Sequence, residues 1–218
     1  MKTSMFALAL VAGTAVSTAN AAVVLKHFGF DNGSMNANTG GGTVNATGTV
    51  ANFAGTSLGL PGSGSPPSSP SSQSGSQSLA IVGPDGGSIT FSMSTLNYSN
   101  VAFSFAAQRT GTGGANATVQ YSLNGSSFTN LGIIVPGASS PGFAGASINT
   151  SDYFFSFSNA AINNQSNIFF RILVAGASSA SGNHRYDNLV VQGDLIPAPG
   201  VCALMGLGGL VAARRRRD

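Results

Sequence analysis

The chain of 218 residues contains no glutamate, no tryptophan, one cysteine (Cys202) and two histidines, His27 and His184. A single thiol cannot build a disulfide framework. Two histidines and one cysteine are also too few for a Cys/His zinc centre, which needs three or four such ligands close together. Glycosidases of the usual kind work with two carboxylates of different pKa, and here all six acidic side chains are aspartates. Charge of either sign is scarce: Asp, Lys and Arg make up 7% of the chain, against roughly a quarter in average soluble proteins. Small polar residues take their place, with Gly, Ser, Thr and Asn supplying 94 positions. That composition describes a neutral, turn-rich surface with little raw material for catalysis, and the chain is read as non-enzymatic.

The two ends carry most of the charge. Lys2 precedes an apolar run over 5–16, and small residues follow as far as an Ala-x-Ala box formed by Ala19 and Ala21. Basic start, short apolar run and small-residue box make a secretory signal peptide cleaved after Ala21. The twelve apolar residues reach about 18 Å as a helix, short of the roughly 30 Å bilayer core.

At the other end stand Pro197, Ala198, Pro199 and Gly200, an apolar stretch over 201–213, and Arg214, Arg215, Arg216 and Arg217 before Asp218. Cationic clusters resist translocation, so such a segment stops in the membrane with its arginines on the cytoplasmic side and the body outside. A solvated basic tail is the plainer alternative. A nucleic-acid patch would spread its basic residues over a face among stacking aromatics, and no nucleic-acid partner is expected. Thirteen residues span about 20 Å, so membrane contact would need local thinning or snorkelling arginines and would be transient. Cys202, one residue inside this stretch, reads as a small apolar filler.

Short Pro-x-Pro motif, hydrophobic helix and terminal Arg cluster together resemble the PEP-CTERM sorting signal, although the middle residue, usually Glu, is Ala198 here. The resemblance implies a bacterial protein exported to the cell envelope or extracellular matrix and processed by an exosortase-like enzyme.

Between the ends, residues 22–196 carry Lys26, Arg109, Arg171 and Arg185 against Asp31, Asp85, Asp152, Asp187 and Asp194, a net charge of −1. The +3 of the whole chain therefore belongs to its termini. Helical periodicity is absent. Period-two alternation and β-branched or aromatic runs predict strands over 23–30, 49–53, 79–82, 88–93, 101–105, 117–123, 128–135, 153–157, 168–175 and 186–192. Asn124-Gly125 has the sequence of a type I′ hairpin turn between two of them. Residues 61–78, rich in Pro and Ser with nothing large and apolar to bury, read as a mobile excursion within one domain. Ten short strands in a single domain predict an all-β, two-sheet antiparallel sandwich of the jelly-roll kind, flanked by the N-terminal signal helix and the C-terminal hydrophobic helix.

The run 89–128 and the closing Arg185-Tyr186-Asp187-Asn188-Leu189-Val190-Val191-Gln192-Gly193 look like the extracellular sandwiches often found before PEP-CTERM tails. In shape those bodies resemble carbohydrate-binding jelly rolls and laminin-G-like domains. The resemblance implies a surface or matrix protein, with a carbohydrate-binding module that contacts exopolysaccharide as the alternative reading.

Asp31-Asn32-Gly33 ends the first strand and Asp187-Asn188 opens the last; neighbouring first and last strands would bring Asp31 and Asp187 to one oxygen-rich site suited to Ca²⁺. The plainer reading makes both of them turn residues that bond their own backbone. His27 lies near Asp31 and His184 near Asp187, but with 31 serines in the chain a Ser-His-Asp pairing is bound to be found and points to no triad. Arg109, Arg171 and Arg185 are expected to pair with Asp or to cap loops. Tyr98, Tyr121, Tyr153 and Tyr186 could stack on sugars if exposed, though tyrosines in alternating strands usually pack into the core.

Overall fold

The computed structural model of the chain describes residues 22–30, 33–48, 51–54, 60–61, 70–71, 77–83, 85–137 and 154–197. The chain divides into two units, Ala21–Leu195 and the termini Met1–Asn20 with Ile196–Asp218. Of the second unit only Ile196 and Pro197 are among the described residues, so the expected signal and C-terminal helices lie outside them. Among the described residues no helix is long and apolar enough to cross a membrane.

In its described residues unit Ala21–Leu195 is all-β. Its strands are β1 (Val23–Phe28), β2 (Asn45–Thr47), β3 (Ala51–Ala54), β4 (Leu60–Pro61), β5 (Pro70–Ser71), β6 (Ser78–Val82), β7 (Ser88–Met93), β8 (Tyr98–Arg109), β9 (Asn116–Ser122), β10 (Thr129–Ile134), β11 (Phe154–Ser158), β12 (Ile168–Ala175) and β13 (Asn183–Leu195). Among the described residues one 3₁₀ turn, Ala160–Ile162, is capped by Asn159, whose side chain accepts from Ala161 N.

Two antiparallel sheets form a sandwich. One has five strands in the order β10-β9-β12-β7-β2, the other six in the order β11-β8-β13-β6-β3, with β1 also on β13. Local sequence accounts for the faces. Along β12 burial alternates at every residue, so Ile168, Phe170, Ile172 and Val174 turn inward while Phe169, Arg171, Leu173 and Ala175 turn out. In β7 and β9 the same period buries Ile89 and Phe91, and Ala117 and Val119.

Between the sheets the core is built around phenylalanine. Phe91, from the five-stranded sheet, meets Phe103 edge-on at 5.4 Å between ring centroids, and Phe103 meets Phe170 at 5.0 Å. Phe28 and Phe105 extend the cluster at 5.1 Å each. Such pairs add about 0.5–1.5 kcal/mol each beyond the area they bury, which lets a chain without tryptophan hold two sheets together.

Strand β13 is shared. β8 lies along one side; on the other, β6 pairs with residues 183–186 and β1 with 189–193. A bulge between Asp187 and Val190 separates the two partners, and there Asn188 takes a left-handed φ of 50° while Asp187 Oδ1 accepts from Asn188 N at 2.8 Å.

Three expectations need correction. The β9–β10 connection is not a two-residue type I′ turn, which requires positive φ at both central residues. Only Gly125 has it, at φ 74°, and six residues link the strands because Ser122 and Asn124 side chains capture the loop's N–H groups. Residues 61–78 are not wholly irregular: β4 and β5 pair as a two-rung ribbon, Leu60 opposite Ser71 and Pro61 opposite Pro70, with the rest of that stretch up to residue 76 outside the described residues. Strands β8 and β13 run well beyond 101–105 and 186–192, since each is held along its length by the other and the ladder does not need an apolar side chain at every rung.

Candidate functional site

The outward face of the five-stranded sheet carries a continuous polar row. Arg171 on β12 stands opposite Gln120 on β9 and Thr90 on β7; Gln120 stands opposite Asn130 on β10, and Thr90 opposite Asn45 on β2. The row crosses all five strands and, at the usual inter-strand spacing, is about 19 Å long. Its inward neighbours Val119, Ile172 and Ile89 belong to the core, so the pleat itself fixes which face these side chains take.

The middle of the row is hydrogen-bonded in series. Arg171 Nε donates to Gln120 Oε1 at 2.8 Å, and Gln120 Nε2 donates to Asn130 Oδ1 at 2.8 Å. A charged donor at one end polarises the amides beyond it, and Gln120 is nearly buried between its two partners.

Above Arg171 lies Phe128, with the guanidinium carbon 3.6 Å from the ring centroid. That close stack follows from the loop that precedes Phe128. Ser122 Oγ accepts from Gly125 N at 2.9 Å, and Asn124 Oδ1 accepts from Ser126 N and Ser127 N at 2.9 Å each. Gly125 packs so close to the Phe169 ring that a Cβ there would sit 3.0 Å from it. The loop is thereby folded back over β12, and Phe128 and Phe169 bring two aromatic rings to the face that carries the polar row. Below the row, Thr47 and Ser88 hydroxyls meet at 2.6 Å, and Ile133 is 66% exposed.

Ala19, Ala21, Asp31, Ala198, Pro199, Gly200, Arg214, Arg215, Arg216 and Arg217 lie outside the described residues; Pro197 is exposed beyond the end of β13. β1 and β13 are neighbours, and Asp187 is buried at the β8–β13 bulge, just before β1 begins to pair with β13. Gly33 N donates to Phe30 O at 2.9 Å. Among the described residues no three His, Cys, Asp or Glu stand together as metal ligands.

The two histidines are committed elsewhere. His184 is fully buried, one ring nitrogen (Nε2) on Gly114 O and the other (Nδ1) 2.8 Å from the Tyr186 hydroxyl. No ring nitrogen remains for a serine or for Asp187. His27 Nε2 lies 3.1 Å from Asn188 Oδ1. Gly55-Thr56-Ser57-Leu58-Gly59 has the Gly-x-Ser-x-Gly spelling of a nucleophile elbow. It falls between β3 and β4, outside the described residues.

Arg109 caps loops as expected, with Nε donating to Pro136 O at 3.1 Å. Arg171 pairs with an amide and a ring in place of the expected aspartate. Tyr186 is buried, Tyr98 and Tyr121 pack against the core, and Tyr153 lies outside the described residues. Phe128 was legible only as the start of a strand; its place over Arg171 depends on a loop whose capture by Ser122 and Asn124 the Asn-Gly signal did not convey.

No family model and no curated protein sequence matches the chain. Among solved structures it is similar to the CBM22-1 xylan-binding domain of Paenibacillus barcinonensis Xyn10C, at 12% identity over 83% of this chain and 99% of that one, with a TM-score of 0.50. The chain shares that domain's β-sandwich fold. Domain 4 of AbnA, a GH43 extracellular arabinanase of Geobacillus stearothermophilus solved with arabinotriose, matches at 13% identity over 81% and 95% of the two chains, with a TM-score of 0.47. The K3 cleaved adhesin domain of Porphyromonas gingivalis Lys-gingipain matches at 11% identity over 78% and 98%, with a TM-score of 0.46.

Proposed function

We propose that this chain is an exported, non-catalytic polysaccharide-binding protein whose sugar-contacting surface is the outward face of the five-stranded sheet. The observation that carries the reading is the polar row from Asn130 to Asn45, with Phe128 stacked at its centre. A sugar ring offers hydroxyls that both donate and accept, together with flat C–H faces. Amides, hydroxyls and a guanidinium spaced along a sheet meet the first, and the face of an aromatic ring beside them meets the second. The shared fold with a domain named as xylan-binding agrees with this reading.

The sandwich is read as a jelly roll, in keeping with its first and last strands lying side by side. The tail reading is part of the same proposal: export through the N-terminal signal, a transient membrane stop at Arg214 to Arg217, and removal by an exosortase-like enzyme at the sequence Pro197-Ala198-Pro199-Gly200. Delivery to the envelope or matrix puts such a module where exopolysaccharide is found.

Affinity electrophoresis of the full chain through gels containing neutral and acidic polysaccharides tests the binding. Retardation on at least one polymer is expected, and Phe128→Ala should weaken it about tenfold, the loss of one stacking contact. A chain that migrates unretarded in every gel would refute the reading.

A further inference from the structure

The guanidinium of Arg171 has more donors than the fold uses. Of its five N–H groups only the one on Nε is engaged, by Gln120 Oε1; among the described residues the four on Nη1 and Nη2 have no partner. The described aspartates of the body accept elsewhere: Asp85 Oδ1 from Ala177 N at 2.7 Å, Asp194 Oδ2 from Asn100 Nδ2 at 2.9 Å, and Asp187 Oδ1 from Asn188 N. Orientation is fixed on both sides. Gln120, itself held by Asn130, sets the rotation of the guanidinium plane, and the Phe128 ring at 3.6 Å sets its tilt.

We infer that Arg171 is a carboxylate-reading position and that the polysaccharide bound on this face is acidic, with uronate-type sugar residues. The inference rests on the polysaccharide reading above and adds a ligand class to it. A planar fork with two free terminal nitrogens matches the two oxygens of a carboxylate, and the bidentate pair is stronger and more directional than a bond to a neutral hydroxyl. Stacking on Phe128 leaves the fork charged and pre-aligned, so little conformational entropy is lost when the anion arrives. The nearly uncharged body provides no competing cation on the row: its other members are Asn130, Gln120, Thr90 and Asn45. A uronate would therefore be seated at the centre of the row, with neighbouring hydroxyls falling to the amides and Thr90 on either side.

The test uses the full chain with Arg214→Gln, Arg215→Gln, Arg216→Gln and Arg217→Gln in every sample, so that the cationic tail does not itself attract acidic polymer. Binding is titrated calorimetrically against polygalacturonate, against the same polymer after carboxyl reduction, and against xylan. Polygalacturonate should bind about tenfold tighter than its reduced form, the margin of one charge-assisted bond over a neutral one. Arg171→Gln should bring that ratio to about twofold or less while affinity for the reduced polymer stays within about threefold. Arg171→Lys keeps the charge and the packed stem but lacks the fork, and should leave a ratio between the two; it also serves if Arg171→Gln does not fold. Equal affinity for the two forms, or a preference that survives both substitutions, overturns the inference and leaves the polysaccharide reading standing. Failure to bind any of the three polymers overturns the inference, and the polysaccharide reading falls with it when the affinity gels also show no retardation.

Discussion

His184 is buried to the point of full exclusion from water, and its two hydrogen bonds fix its protonation. Gly114 O can only accept, so Nε2 carries the proton and Nδ1 accepts from the Tyr186 hydroxyl. Burial lowers the imidazole's pKa below its ordinary 6.5, with Arg109 adding to the effect and the Gly114 carbonyl opposing it, and the same burial pushes the Tyr186 phenol up. As pH falls below about 6.5 the unfolded chain takes up a proton that folded His184 refuses, so this residue costs stability until pH reaches the depressed value. Calorimetry should show the melting temperature dropping between pH 7 and pH 5, with a smaller drop in His184→Gln; a variant as steep as the parent would remove His184 from the account. Phe103, with zero exposure and ring contacts to Phe91, Phe105 and Phe170, sits where both sheets meet. Phe103→Ala should lose about 3–5 kcal/mol in denaturant unfolding. A loss under about 1 kcal/mol would mean the cavity collapses freely.

Elements hold together through loops as much as through ladders. The β8–β9 connection and the approach to β13 press backbone against backbone: a Cβ on Gly182 would lie 2.1 Å from Thr112 O, a gap no flexible side chain can open. Gly182→Ala should therefore destabilise by about 1–3 kcal/mol, visible as a lower urea midpoint with an unchanged slope. The β9–β10 loop tests a different link. Asn124→Ala removes the acceptor for Ser126 N and Ser127 N and should cost about 1 kcal/mol in stability. It should also weaken polysaccharide binding, because Phe128 is then no longer held over Arg171; full binding with a loosened loop would separate the two roles. Strand content was largely readable, since period-two patterns such as Ile168 to Ala175 encode which face is wet. β2 was not, because Asn45-Ala46-Thr47 has no apolar alternation and becomes a strand only by lying against β7.

For the whole molecule the charge is unevenly distributed. The +3 of the full chain contains Lys2 and four terminal arginines, and what lies between is close to neutral. If the tail is processed as proposed, intact-mass analysis of envelope material should find a species that begins after Ala21 and lacks Arg214 to Arg217. Mature protein retaining those arginines would rule out the processing. The acidic protein left behind, at −1, would meet an acidic polymer through one fork and not through overall attraction. Its binding should therefore weaken with salt with a slope close to that of a single ion pair.

The amino-acid sequence alone determined the class of the molecule: an all-β sandwich, because short alternating runs separated by Gly, Ser and Asn can bury one face and have no other way to hide it. It also determined the raw chemistry available, through the glutamate, tryptophan and thiols it lacks. Which residues share a surface was decided only by the tertiary structure. Asn130, Gln120, Arg171, Thr90 and Asn45 come from five separate stretches of chain, and register across antiparallel strands, set by long-range pairing and turn length, aligned them. The stack of Phe128 on Arg171 likewise depends on side-chain capture of a loop. Local periodicity carries no record of either.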